Sequence, residues 1–124
     1  MVEPPPRILL FRQRVGPAEL RRLVEEGFGD MVKYVVDVER SVIAVGGDMH
    51  ADAEQSLLEA GSRQQDLWGA NYYPGLGREE CIEYTSLINI RPNQGNKSMV
   101  VQDEGVRERI RQITFSLIGE GEPF

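Results

Sequence analysis

Apolar residues recur at helical spacing in three stretches of the chain and at every second position in several others. From Pro17 to Glu26, Leu20, Leu23 and Val24 form one apolar stripe; Pro17 suits a first helical position and Gly27 a stop. Ala53, Leu57, Leu58 and Ala60 predict a second helix over about residues 51–60, ended by Gly61. Val106, Ile110, Ile113 and Leu117 predict a third, with Asp103 as its N-cap.

Between the helices the period changes to two. Val32, Tyr34, Val36 and Val38 alternate with Lys33, Val35, Asp37 and Glu39, the pattern of a half-buried strand from Met31 to Glu39. A β-branched run, Ser41 to Val45, follows closely enough to form a hairpin, although neither turn residue is Gly or Asn. Asp66 to Tyr73 reads as an aromatic strand stopped by Pro74-Gly75-Leu76-Gly77. Cys81 to Arg91 gives the clearest alternation, with Ile82, Tyr84, Ile88 and Ile90 on one face and Glu83, Thr85, Asn89 and Arg91 on the other. Short strands at Arg7–Phe11 and around Met99–Val101 complete the order (β)αββαββ(β)α.

Short connections between alternating strands favour an antiparallel sheet. The expectation is therefore an α+β, two-layer domain: a mostly antiparallel sheet of four to five strands, with three helices on one face. Asp37, Glu39, Glu83, Asn89 and Arg91 would lie on a solvated opposite face. Residues 1–6, with three consecutive prolines, read as an extended arm, residues 7–118 as one domain and residues 119–124 as a flexible tail.

Composition removes several function classes. The net charge of −6 disfavours nucleic-acid binding and repels an anionic membrane surface. A single cysteine, Cys81, allows neither an internal disulfide nor a Cys-rich zinc framework. No apolar run approaches the ~20 residues of a membrane span, and the first residues lack the features of a secretory signal, so a cytoplasmic protein is expected.

The candidate chemistry gathers at Val45-Gly46-Gly47-Asp48-Met49-His50-Ala51-Asp52-Ala53-Glu54, which carries the only histidine where a strand passes into a helix. Paired glycines before a helix can cradle phosphate, but three carboxylates and no Lys or Arg in the segment would repel it. A hard cation suits oxygen ligands better: Asp48, Asp52 and Glu54 would bind calcium or magnesium, with Asp37, Glu39 or Glu83 completing the shell. One histidine makes a poor zinc site. The competing reading is structural, since acidic residues in a first turn stabilise the helix by ~0.3–1 kcal/mol each and His50 can cap it.

The remaining candidates weigh less. Cys81 sits among Glu79, Glu80 and Glu83, which raise a thiol's pKa, and reads as an inert residue. Trp68, Tyr72 and Tyr73 read first as core and second as a surface for a homo-oligomer over residues 67–74. Arg91 to Ser98 reads as a solvated turn, with Asn89, Arg91 and Asn93 beside His50 as ligand-binding candidates.

Taken as a set, Val36-Asp37-Val38-Glu39, Ile43 through Glu54, Asp66-Leu67-Trp68-Gly69, and Thr85 through Pro92 followed by Gln94-Gly95-Asn96 resemble a small prokaryotic family of uncharacterised proteins, over roughly residues 31–118. The resemblance implies a single soluble domain and assigns no residue a role. The expected function is a binding module for a divalent cation or a small polar ligand at residues 46–54. A hydrolase using His50 with carboxylates, near Asn89 and Arg91, and a homo-oligomeric interaction domain are the alternatives. No catalytic residue is assigned.

Overall fold

Val35 and Val36 are adjacent in sequence, point to opposite faces of a strand, and are both fully buried. That pair dictates the architecture, because a strand apolar on both faces must be covered on both. The computed structural model describes residues 7–124; the proline-rich arm expected over residues 1–6 lies outside the described residues. In chain order the elements are β1 (Ile8–Phe11), α1 (Pro17–Glu26), β2 (Val32–Asp37), β3 (Val42–Gly46), α2 (His50–Glu59), β4 (Leu67–Tyr72), β5 (Ile82–Glu83) and α3 (Glu104–Leu117). Short 3₁₀ turns lie at Gln64–Asp66, Leu87–Asn89 and Pro92–Gln94.

The strands form one antiparallel sheet in the order β1-β3-β2-β4-β5. The α+β class, the antiparallel sheet and the three helices agree with the sequence pattern. The layering differs. α1 and α3 cover one face, packing Leu20, Leu23, Ile110 and Ile113 against Tyr34, Val36, Ile43, Val45 and Trp68. α2 covers the other, setting Ala53 and Leu57 on Val35, Ala44 and Leu67. The face expected to be solvated thus has a core of its own. Burying a side chain such as Leu57 there contributes about 2 kcal/mol.

The β2–β3 turn needs neither Gly nor Asn because Asp37 closes it. Asp37 Oδ1 accepts from the backbone N–H groups of Glu39 and Arg40 at 3.0 and 2.9 Å, and Oδ2 from the Ser62 hydroxyl at 2.6 Å. Ser41 takes the positive φ of 56° that the turn requires. Gly46 ends β3 for a packing reason. It pairs with Ile8 at φ +111°, and a Cβ there would stand 2.1 Å from the Arg7 carbonyl oxygen.

The strand expected over residues 81–91 stops at Glu83. From Ser86 the chain turns into 3₁₀ structure, with the Ser86 hydroxyl accepting from the Ile88 N–H. Side chains take over what the rest of the strand would have done. Asn89 Oδ1 accepts from the Gly69 N–H at 2.9 Å, and Nδ2 donates to the Gly69 carbonyl at 3.0 Å, as a neighbouring strand would. Arg91 donates to the Leu67 carbonyl beside it. The strand expected near Met99 is reduced to a bridge between Thr85 and Val100. Within residues 119–124, expected as a flexible tail, the Gly121 N–H donates to the Tyr72 hydroxyl, and its carbonyl accepts from Gly75 and Gly77.

Candidate functional site

The start of α2 lies over the β4 side of the sheet, on the face that α2 covers. The helix begins one residue before the expected position, at His50, with Met49 as N-cap and no side chain capping it. His50 does not cap. Its ring turns inward and Nε2 donates to the Ala70 carbonyl at 2.8 Å. A carbonyl only accepts, so the neutral ring carries its proton on Nε2. The approach is close: a Cβ on Gly69 would meet the His50 ring at 3.2 Å and the Ser86 hydroxyl at 2.7 Å. Gly69 is what lets helix, strand and the residue-86 turn converge.

Their convergence leaves a cavity of ≈ 380 Å³ lined by Lys33, Met49, His50, Asn71, Ser86, Leu87 and Met99, among others. Its outer wall is apolar and open to solvent: Met49 is 56% exposed, Leu87 69% and Met99 40%. Its floor is polar. Asn71 is buried, and its Nδ2 donates to Glu83 Oε1 at 2.7 Å. Asn71 Oδ1 is buried with no hydrogen-bond partner among the described residues. Lys33 stands at the rim, its ammonium donating to the Asp48 carbonyl at 2.8 Å and lying 5.1 Å from the centre of the Phe28 ring. A groove of ≈ 460 Å³ at the far end of α2, between that helix and Phe11–Arg14, is larger. It has no such orphaned atom.

Of the residues singled out in the sequence, only His50 reaches this cavity. Asn89 is fully buried and spends its amide on Gly69 and Met99. Arg91 is also buried, donating to the carbonyls of Ile88, Gln64 and Leu67 with its guanidinium 4.5 Å from the centre of the Trp68 ring. Asn93 is exposed in the 3₁₀ turn that follows. Trp68 and Tyr72 are core, in keeping with the first reading of that segment, and Tyr73 is half-buried.

The four metal candidates are not brought together. Asp37 is consumed by its turn, Asp48 and Asp52 are exposed, and Glu54 faces Arg91, its Oε2 3.9 Å from Nη2. Among the described residues no three His, Cys, Asp or Glu side chains form a group able to hold a metal ion. Cys81 belongs to the core on the opposite side of the sheet from His50, and burial pushes its thiol pKa up. The cavity residues the sequence did not flag are Asn71, Lys33, Ser86, Leu87 and Met99. Asn71 had one signal: an amide in the middle of an apolar strand is a poor strand former without a partner to satisfy it.

A family model described as "Protein of unknown function (DUF5674)" matches residues 9–117. The chain belongs to this family. No curated protein and no solved structure matches it. The match takes in α1 and β1 from Leu9 onward as well as the later segments that carried the resemblance, so nearly all of the sheet and all three helices lie within the DUF5674 domain.

In this DUF5674 domain His50 is also a pH-sensitive contact. Burial pulls its pKa below the usual 6.5; the Ala70 carbonyl opposes this, the Lys33 charge adds to it, and Asn71 and Glu83 oppose it. A depressed folded-state value means the unfolded chain takes up the proton first. The stability His50 contributes is therefore present above its ordinary pKa and lost as pH falls through the folded value. His50→Gln, which keeps a donor for Ala70, is expected to flatten the decline in melting temperature as pH falls below 6.5. A wild-type decline that persists unchanged in the variant would assign it to other groups.

Proposed function

We propose that this protein is a binding module for a small organic ligand, held in the cavity at the start of α2. The observation that carries this reading is the cavity itself, in which exposed apolar side chains stand beside the buried polar His50 and Asn71. The exposed side chains of Met49, Leu87 and Met99 supply the driving force, since covering them removes apolar surface from water. The junction at residues 46–54 contributes one wall, through Met49, His50 and Ala51.

Small neutral aromatic compounds are the direct probe. Methyl resonances of Met49, Leu87, Ile88 and Met99 should shift together on titration. Leu87→Asp should weaken binding about tenfold, since it places charge on an apolar wall without touching the core. Melting curves with calcium, magnesium, manganese and zinc run alongside. A cation-dependent rise with no response to any organic probe would favour the carboxylate reading of residues 48–54 instead.

A further inference from the structure

Most arginines of this acidic chain stand against a carboxylate, as Arg7 does with Glu26 and Arg111 with Glu108. Arg12, Arg40 and Arg109 form no ion pair among the described residues, and they gather at one end of the sheet. Arg12 directly follows the edge strand β1, and Arg40 lies in the β2–β3 turn beside it, since Phe11 pairs with Ile43. Two grooves meet at Arg12. The groove at the far end of α2 is lined by Arg12 and Arg40 together with Phe11, Val42 and Leu57. A second, of ≈ 360 Å³, lies against α3 on the other face of the sheet and is lined by Arg12, Ser41, Arg109 and Gln112. Among the described residues no Asp or Glu lines either groove. The carboxylates nearest in sequence are engaged elsewhere: Asp37 closes its turn, Glu59 accepts from Gln55, and Glu108 holds Arg111.

These guanidinium groups keep donors to spare. Arg12 is exposed and its side chain makes no hydrogen bond among the described residues. Arg40 uses Nη1 alone, at 3.3 Å from the Ala60 carbonyl and 3.4 Å from the Ser62 hydroxyl. Arg109 donates Nε to the Val38 carbonyl at 3.2 Å and Nη2 to the Ser41 hydroxyl at 2.9 Å. A guanidinium has five N–H groups, so each of the three retains several. Like charges gathered without a carboxylate repel one another, and a bound anion relieves that repulsion. We infer that this end of the sheet binds an organic phosphate. Its phosphoryl group sits at Arg12 where the grooves meet, with Arg40 on one side and Arg109 on the other. Its organic part lies in the larger groove against Phe11, Val42 and Leu57. A phosphate monoester suits three arginines better than a carboxylate, because it brings about two negative charges and three acceptor oxygens. The site stands at the opposite end of α2 from the cavity at His50 and does not depend on it.

Phenyl phosphate and benzoate are the probes, titrated at constant ionic strength and followed by calorimetry and by the arginine Nε–H resonances. Wild-type protein should bind phenyl phosphate at least about tenfold more tightly than benzoate, with the Arg12 and Arg40 resonances shifting together. Arg12→Gln removes a charge and no internal hydrogen bond, so the fold is kept, and it should weaken phenyl phosphate at least about tenfold. Arg63→Gln removes the same charge beside Asp66, outside both grooves, and should change the affinity less than about twofold. Equal losses in the two variants would reduce the attraction to overall charge and overturn the site. Equal affinities for the two probes would overturn the phosphate preference. Shifts confined to the Met49, Leu87 and Met99 methyls would put the probe in the other cavity, against this site and in favour of that one. No binding at all would overturn the inference and leave the arginines as charges that keep an exposed sheet edge from pairing. A short single-stranded oligonucleotide that binds through Arg12 where phenyl phosphate does not would overturn it in favour of nucleic acid.

Discussion

Asn89→Ala is expected to remove about 4 kcal/mol of folding stability, a large share of the 5–15 kcal/mol typical of a domain. Asn89 is completely buried, and three backbone groups depend on its amide: the Gly69 N–H, the Gly69 carbonyl and, at 3.1 Å, the Met99 carbonyl. Alanine leaves all three without partners, each at about 1–3 kcal/mol, with partial relaxation reducing the sum. The amide also joins two segments distant in sequence, the β4 edge and the residue-99 bridge. Asn96 continues the network by donating Nδ2 to the Asn89 carbonyl at 2.8 Å. Urea unfolding measures the loss, and faster exchange of the Gly69 amide localises it. Asn89→Asp separates hydrogen bonding from packing: it keeps the acceptor for Gly69 N–H but sets a carboxylate against two carbonyls. It should be as damaging as alanine at neutral pH and recover in acid, where a protonated Asp donates again. If alanine costs less than about 1 kcal/mol, Asn89 does not substitute for a strand.

That substitution explains where the chain's pattern was readable and where it was not. α1 and α3 follow from local signals alone, Pro17 and Gly27 at the ends of one and Asp103 capping the other, its Oδ1 accepting from the Val106 N–H. β2 and β3 were visible as strands, but β2 read as half-buried, because alternation alone did not reveal that Val35 and Val36 are covered on opposite faces. Alternation over residues 81–91 looked the same as a strand because a period of two says nothing about what a side chain will bond. Asn89 and Arg91 read as the polar face of a strand, yet their side chains do the pairing. The candidate site was legible in location and not in direction. Gly46 through Glu54 does reach a cavity, but the groups it meets there, Asn71, Ser86 and Met99, come from separate segments further along the chain, held by Gly69 and Glu83. Its carboxylates looked like a cluster in one dimension; the helix turns them to different surroundings.

Glu54 is a largely covered carboxylate, and Arg91 is what makes that tolerable. The two side chains are 13% and 8% exposed, and Glu54 Oε2 has no hydrogen-bond partner among the described residues. Burial raises the Glu54 pKa above its ordinary value, while Arg91 and then Gln64 act to lower it. Burial correspondingly lowers the Arg91 pKa, with Glu54 opposing. Arg91→Met preserves much of the stem that packs on Trp68 and removes the charge. It also leaves the carbonyls of Gln64, Leu67 and Ile88 without their donor. The expected cost is about 3–5 kcal/mol at neutral pH, the range for stripping one partner from a buried pair. The sign of its pH dependence follows from the raised pKa. A folded state that holds the Glu54 proton more tightly than the unfolded chain is favoured at low pH, and loses stability as pH climbs from the ordinary carboxylate value of 4.5 to the folded one. Without Arg91 that folded value rises further, so Arg91→Met should lose more stability than the wild type as pH rises above 4.5. Adding Glu54→Gln to Arg91→Met removes the charge altogether and should restore part of the loss at pH 7 and little at pH 5. Urea unfolding of the four proteins at both pH values completes the cycle. An Arg91→Met penalty independent of pH, with no rescue by Glu54→Gln, would place the whole effect on the three carbonyls and none on the buried charge.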